Sequence, residues 1–187
     1  YHAGLSQWQG RSRVNERSIG IEIVNLNGNE HPYPPQQMAA LVELCREILI
    51  ANPRIPPGNV VGHSDIAPKR KIDPGRMFPW QALAGEGIGL WPKDAPPEPV
   101  GDTATIQELL TRCGYPGPHA YGNKDGAWVY VPDAATPPPA ISNLVHVATA
   151  DILRAFQLHF QPENVSGVAD AVTMGRLRKL AAMVAGG

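Results

Sequence analysis

The chain has 187 residues, 43% of them hydrophobic, which is enough to bury one ordinary core or two small ones. Its 16 basic and 17 acidic side chains leave a formal charge of -1, so it offers no electrostatic footprint for a polyanion, and nucleic acid is not expected as a partner. No apolar run reaches the length of a membrane span, and no signal peptide is visible in the sequence.

From Ser18 to Asn25 the residues Ile19, Ile21 and Ile23 alternate with Gly20, Glu22 and Val24, which predicts a strand with Glu22 facing away from the three isoleucines. From Pro35 to Ala51 the apolar residues Met38, Leu41, Val42, Cys45, Ile48 and Leu49 recur at three and four positions. That spacing predicts a helix with one apolar face, Pro35 suiting its first turn and Pro53 ending it. Asn59 to Gly62 reads as a second short strand that delivers His63 at its end. The order strand, helix, strand predicts an α/β fold, a mixed sheet flanked by helices with polar residues gathered at the strand ends.

Trp91 to Gly101, W-P-K-D-A-P-P-E-P-V-G, is dense in proline and has no periodicity. It reads as a stiff linker between residues 1–90 and residues 102–187, with few contacts between the two units. Beyond it, Thr103 to Cys113, Thr149 to Phe160 and Thr173 to Val184 read as helices, with Gly114 as the cap of the first. The expectation is a small helical domain. It is interrupted from Pro116 to Pro139 by a stretch with Gly122, Gly126 and three consecutive prolines, in which W-V-Y-V at Trp128 to Val131 suits a short strand. Cys45 and Cys113 form no C-x-x-C pair and read as two separate buried thiols.

The segment richest in chemistry is H-S-D-I-A-P-K-R-K-I-D-P-G, His63 to Gly75. Imidazole and carboxylate are usual zinc ligands, and a loop of this length can bring His63 and Asp73 to one ion. A catalytic zinc takes three protein ligands and leaves a position for water, and only two candidates stand here. On residue types alone a loop histidine, aspartates capping turns and a solvated K-R-K face remain open.

The whole string resembles the second half of the metal site in zinc-dependent N-acetylmuramoyl-L-alanine amidases of the AmpD and AmiD type, a family related to peptidoglycan recognition proteins. Y-H-A-G at Tyr1 to Gly4, W-Q-G-R at Trp8 to Arg11 and S-I-G-I-E-I-V-N at Ser18 to Asn25 are similar to three further family segments in the same order. The resemblance implies hydrolysis of the amide between N-acetylmuramic acid, or its 1,6-anhydro form, and L-alanine of the peptidoglycan stem peptide. It implies Zn2+ as cofactor, with His63 and Asp73 as ligands. Glu22 matches the family's general base, Lys71 a lysine that steadies the oxyanion, and His2 a histidine beside the cleft. One carboxylate, Glu22, would first take a proton from water and then return it to the leaving amine. The family's remaining zinc histidine has no counterpart here, since His31, His119, His146 and His159 lie in no matching segment. An upstream segment or a companion chain is therefore expected to supply the third ligand.

A-F-Q-L-H-F-Q-P at Ala155 to Pro162, S-G-V-A-D at Ser166 to Asp170, and Thr173 resemble the second half of the small helical peptidoglycan-binding domain of AmiD-like enzymes. His159 reads there as a helix-face residue. Partners implied are peptidoglycan or muropeptides, in the periplasm, with any outer-membrane anchor carried by a segment outside this sequence. The competing expectations are a non-catalytic peptidoglycan-binding protein, which Glu22, Lys71 and Asp73 argue against, and a zinc hydrolase of another amide.

Overall fold

A computed structural model of the chain describes residues 2–131 and 140–186. Tyr1 of the first family segment and the three consecutive prolines of the insertion, Pro137 to Pro139, lie outside the described residues. The architecture is mixed α/β. In the first half, a two-stranded antiparallel ribbon, β1 (Gln7–Trp8) and β2 (Arg11–Ser12), precedes helices α1 (Pro35–Ala51), α2 (His63–Ile66) and α3 (Trp80–Gly85). Then come α4 (Thr103–Arg112), a three-stranded sheet of β3 (His119–Lys124), β4 (Ala127–Val131) and β5 (Ser142–Val147), and helices α5 (Thr149–Phe160) and α6 (Ala171–Gly186).

Helix α1 has the bounds its spacing predicts, with Pro35 in its first turn. Leu41 and Cys45 on its apolar face are buried against Phe78, Trp80, Leu83 and Ile88, and Met38, Val42 and Leu49 pack beside them. Helix α4 ends as predicted. Gly114 takes φ +106, and the N–H of Tyr115 turns back onto the carbonyl of Leu110 at 3.0 Å. A left-handed turn of this kind favours glycine, and a Cβ here would also meet the Trp8 indole at 2.6 Å. Cys45 and Cys113 are both free and buried.

Four expectations differ from what the structure shows. Ser18 to Asn25 has the alternation of a strand but forms no ladder. A strand needs a neighbour for its N–H and C=O groups, and among the described residues none lies beside it. Asn59 to Gly62 is likewise not a strand: Pro57–Asn59 forms a 3-10 turn, and unpaired extended backbone leads from it to His63. His63 therefore stands at the start of a short helix and not at a strand end. The second half is not purely helical either, because the insertion folds into the antiparallel sheet β4-β3-β5, with the predicted W-V-Y-V strand as part of β4.

The fourth difference concerns residues 91–101. The segment is not a free spacer but lies along α6: the Glu98 N–H donates to the Ala171 carbonyl at 2.9 Å, Arg178 pairs with Glu98 at 2.8 Å, and Lys179 donates to the Lys93 carbonyl. Gly175 lets the Pro96 carbonyl reach the helix, where a Cβ would stand 1.9 Å from that oxygen. Trp91 packs against both large apolar clusters. Leu5, Trp8 and Leu90 from the first half also pack on the core of α4, α5 and α6, around Leu110, Tyr115, Phe156 and Leu177. The two halves share an interface that the composition of the joining segment gave no reason to expect.

Candidate active site

A cleft of about 1050 Å³ opens between α1, the segment before α2 and the extended run near Glu22. His2, Glu22, His63, Lys71 and Asp73, every residue singled out in the sequence, contribute to its wall. The structure thus brings the sequence candidates to one place. Leu41, Cys45, Ile48 and Phe78 add apolar wall to the cleft.

Its chemistry begins at a hairpin-like closure of the His63 to Asp73 loop. The Ser64 N–H donates to the Asp73 carbonyl at 2.9 Å, and Nδ1 of His63 lies 3.0 Å from Oδ2 of Asp73. The other ring nitrogen, Nε2, is 3.3 Å from the carbonyl of Ala3. A carbonyl and a carboxylate oxygen both only accept, so a neutral imidazole can donate to one of them and not to both. A ring nitrogen and a carboxylate oxygen facing each other at this distance need a proton or a cation between them. Metal-binding histidines show the same outer arrangement, one nitrogen on a backbone carbonyl and the other on the ion. The hydrogen bond with His63 holds the Asp73 carboxyl below the ordinary aspartate range, against partial burial that raises it, and the nearby charge of Lys71 adds to the lowering.

The donor types therefore suit a zinc ion, and the corner they form fits two of its ligands. Among the described residues no group of three or more His, Cys, Asp or Glu side chains could hold a metal. Glu22 lies exposed along the cleft wall. His2 stacks its ring over Gly20, where a Cβ would come within 2.4 Å of it, and its Nε2 is 2.8 Å from Ser18 Oγ.

The three basic residues of K-R-K separate into three tasks. Arg70 donates to the carbonyls of Ala3 at 2.8 Å and Leu5 at 2.5 Å, which ties the bent segment around Gly4 to the His63–Asp73 loop. Lys69 reaches across to the second half, donating to the His146 carbonyl at 2.6 Å and approaching Asp151 at 3.5 Å. Lys71 contributes to the cleft wall, as Arg70 also does. Sequence reasoning missed Asn15, whose side-chain oxygen accepts from the N–H groups of His2 at 2.9 Å and Ala3 at 2.6 Å, and so holds the H-A-G segment against the site. It also missed Asp65, a fully buried carboxylate two positions after His63. The carboxylate accepts from the Gly62 N–H at 2.7 Å, the Tyr115 hydroxyl at 2.6 Å and Nδ1 of His159 at 2.7 Å. Burial, followed by the negative charge of Asp65, pushes the Tyr115 hydroxyl well above its ordinary pKa, so it keeps its proton and donates. His159 is a buried partner of that carboxylate and not merely a helix-face residue; its position on an apolar helix carried no sign of this.

A histidine-aspartate corner, the Glu22 carboxylate and the Lys71 ammonium thus share one cleft on an α/β frame. The family model of N-acetylmuramoyl-L-alanine amidases matches residues 1–76, and the chain belongs to this family. It is 40% identical over 190 residues to the N-acetylmuramoyl-L-alanine amidase AmiD of Escherichia coli, an alignment covering 92% of this chain and 60% of that protein. The 1,6-anhydro-N-acetylmuramyl-L-alanine amidase AmpD of Haemophilus influenzae is 46% identical over 81 residues, 43% of each chain. The solved structure of E. coli AmiD superposes with a TM-score of 0.75 at 36% identity, covering 98% of this chain and 68% of that one. The chain thus spans about 60% of the length of the AmiD relative.

Proposed function

We propose that the protein to which this chain belongs hydrolyses the amide joining N-acetylmuramic acid, or its 1,6-anhydro form, to L-alanine of the peptidoglycan stem peptide. The convergence of His2, Glu22, His63, Lys71 and Asp73 on one cleft carries the reading. E. coli AmiD, solved with anhydro-N-acetylmuramic acid-L-Ala-D-gamma-Glu-L-Lys as its substrate, supports the choice of amide.

In this reading His63 and Asp73 would hold a zinc ion, and the third protein ligand would come from a segment or companion chain beyond residues 1–187. When bound, zinc supplies a Lewis acid that makes water a nucleophile near neutral pH. Glu22 takes a proton from the attacking water as its oxygen bonds to the lactyl carbonyl carbon. The Lys71 ammonium steadies the negative charge that gathers on the carbonyl oxygen. As the carbon-nitrogen bond breaks, Glu22 gives its proton to the amine of L-alanine, leaving a muramic carboxylate and a free peptide. His2 lines the substrate side of the cleft, and residues 102–187 bind the wall. The periplasm is the compartment that this substrate implies.

The test uses the full-length protein, purified, stripped of metal and reloaded with zinc. Release of free stem peptide from anhydro-muropeptide and from intact wall is followed by mass spectrometry. Zinc-dependent release of a peptide with a free L-alanine amine is expected. Binding to wall without release would instead establish a non-catalytic peptidoglycan-binding protein, and cleavage elsewhere in the peptide would establish a different amide as substrate.

A further inference from the structure

The interface between the two halves centres on one carboxylate. Asp65 is completely buried, and a charge in such a place is costly unless every lone pair finds a donor. Its three donors come from three parts of the chain: Gly62 just before α2, Tyr115 after α4, and His159 on α5. Two of the three belong to the second half. The His159 ring is held flat between Trp80 and Phe160, with centroids 3.8 Å from each, so its plane is fixed and Nδ1 is aimed at Asp65. Tyr115 is held as firmly, edge-on to Trp8 at 5.2 Å and to Phe156 at 5.9 Å.

Asp65 sits within α2, a helix of only four residues that starts at His63. So short a helix has almost no stability of its own, because nucleation is unfavourable and few bonds follow it. Its orientation must come from what grips it. Asp65 ties the helix back to Gly62 by two bonds, its side chain accepting from the Gly62 N–H and its own N–H donating to the Gly62 carbonyl at 3.1 Å. Tyr115 and His159 tie the same side chain to the second half. His63 precedes this anchor by two positions, roughly half a helical turn, and its imidazole contributes to the cleft wall.

We infer that Tyr115 and His159 are positioning residues for His63, setting the direction of its imidazole through Asp65, so that the second half of the chain is built into the metal corner. This rests on the reading of His63 and Asp73 as metal ligands. Loss of a direct partner of a metal ligand costs roughly 10- to 100-fold in affinity; Tyr115 and His159 stand one step further out, gripping Asp65 and, through the backbone of α2, the ligand His63, so the lower end of that range applies.

The experiment measures zinc affinity by competition with a fluorescent chelator, on the full-length protein and its variants, at a temperature where circular dichroism shows each to be folded. His159→Phe keeps the stacking between Trp80 and Phe160 and removes the donor. Tyr115→Phe keeps the ring and removes the hydroxyl. Each is expected to weaken zinc by about tenfold or more. His159→Asn, whose amide nitrogen can stand where Nδ1 stands, is expected to bind zinc close to the wild-type affinity. Met174→Ala, which loosens the same core without touching Asp65, should leave zinc affinity unchanged. Wild-type affinity in both His159→Phe and Tyr115→Phe would overturn the inference, and so would a loss in Met174→Ala as large as theirs. If His63→Ala binds zinc as well as wild type does, the metal reading itself fails. Crystal structures of the metal-free variants then decide the positioning: the 3.0 Å approach of His63 to Asp73 should open in His159→Phe and persist in His159→Asn. Its persistence in both would overturn the inference.

Discussion

His63 and Asp73, ten positions apart, face each other across 3.0 Å from nitrogen to oxygen, and the backbone of Ser64 closes the same loop onto the Asp73 carbonyl. The first prediction follows from this pairing. His63→Ala or Asp73→Ala removes one of two converging donors, and zinc affinity should fall by more than the roughly 100-fold that marks loss of an outer partner. Chelator competition on the full-length protein measures it. Unchanged affinity in either variant would remove that residue from the metal corner.

Glu22 lines the same cleft, and no hydrogen bond or ion pair joins it to His63 or Asp73. Glu22→Ala should therefore bind zinc as the wild type does while turnover of anhydro-muropeptide drops by about 10²- to 10⁴-fold, the range that general acid-base groups contribute. Glu22→Gln should behave alike, because it keeps the shape and loses the proton carrier. Near-normal turnover in both would mean that another group moves the protons.

At the start of α6, burial raises the pKa of Asp170, but hydrogen bonds from the Thr173 N–H, Gln161, the Thr173 hydroxyl and Asn164 outweigh it and bring the carboxyl down to about 2. A carboxyl lowered in the folded state contributes stability that is fully present above the unfolded pKa near 3.9 and is lost as pH falls towards its folded value. Asp170→Ala should cost about 1 kcal/mol at pH 7, as loss of a helix cap does. The gap between variant and wild type should narrow from about pH 4 to about pH 2. Urea melts at several pH values follow it, and a gap constant down to pH 2 would show that the charge of Asp170 contributes nothing.

Local signals served well where the physics is local. The three- and four-residue spacing from Met38 to Leu49 marked α1 because its apolar face has a partner cluster within the chain. The span from His63 to Asp73 was readable as a loop able to bring its two ends together, and Nδ1 and Oδ2 do lie 3.0 Å apart. The alternation at Ser18 to Asn25 failed as a guide to structure because a ladder depends on a neighbouring strand, which the segment cannot announce about itself. Asp65 and His159 were invisible as a pair because 94 positions separate them, and neither local pattern demands the other. The proline-rich run at Trp91 to Gly101 misled for a related reason. Proline makes a segment stiff and extended, and an extended segment lies along a helix as readily as it spans open solvent.

That last correction changes what removal of the second half should do. A free tether would let residues 1–101 work alone on small soluble muropeptides and lose activity only on insoluble wall, where local concentration matters. The interface predicts otherwise. Truncation after Gly101 takes away Tyr115 and His159, leaving the Asp65 carboxylate with the Gly62 N–H as its remaining partner of the three. It strips the edge-on contact of Trp8 with Tyr115 and the stack of Trp80 on His159. It also breaks the bonds from Gln9 to the Gly114 carbonyl at 2.8 Å and from Tyr130 to Gln7 at 2.7 Å. Leaving a formerly paired carboxylate half-satisfied costs on the order of 3 kcal/mol or more when it stays buried, and opening it to water exposes Trp8, Leu90 and Trp91 with it. The full-length protein cut short after Gly101 should therefore lose turnover of soluble anhydro-muropeptide at least as severely as turnover of wall, and its zinc affinity should fall in parallel. Soluble turnover kept near the uncut rate, with wall activity alone reduced, would show that the second half only carries the enzyme to its substrate.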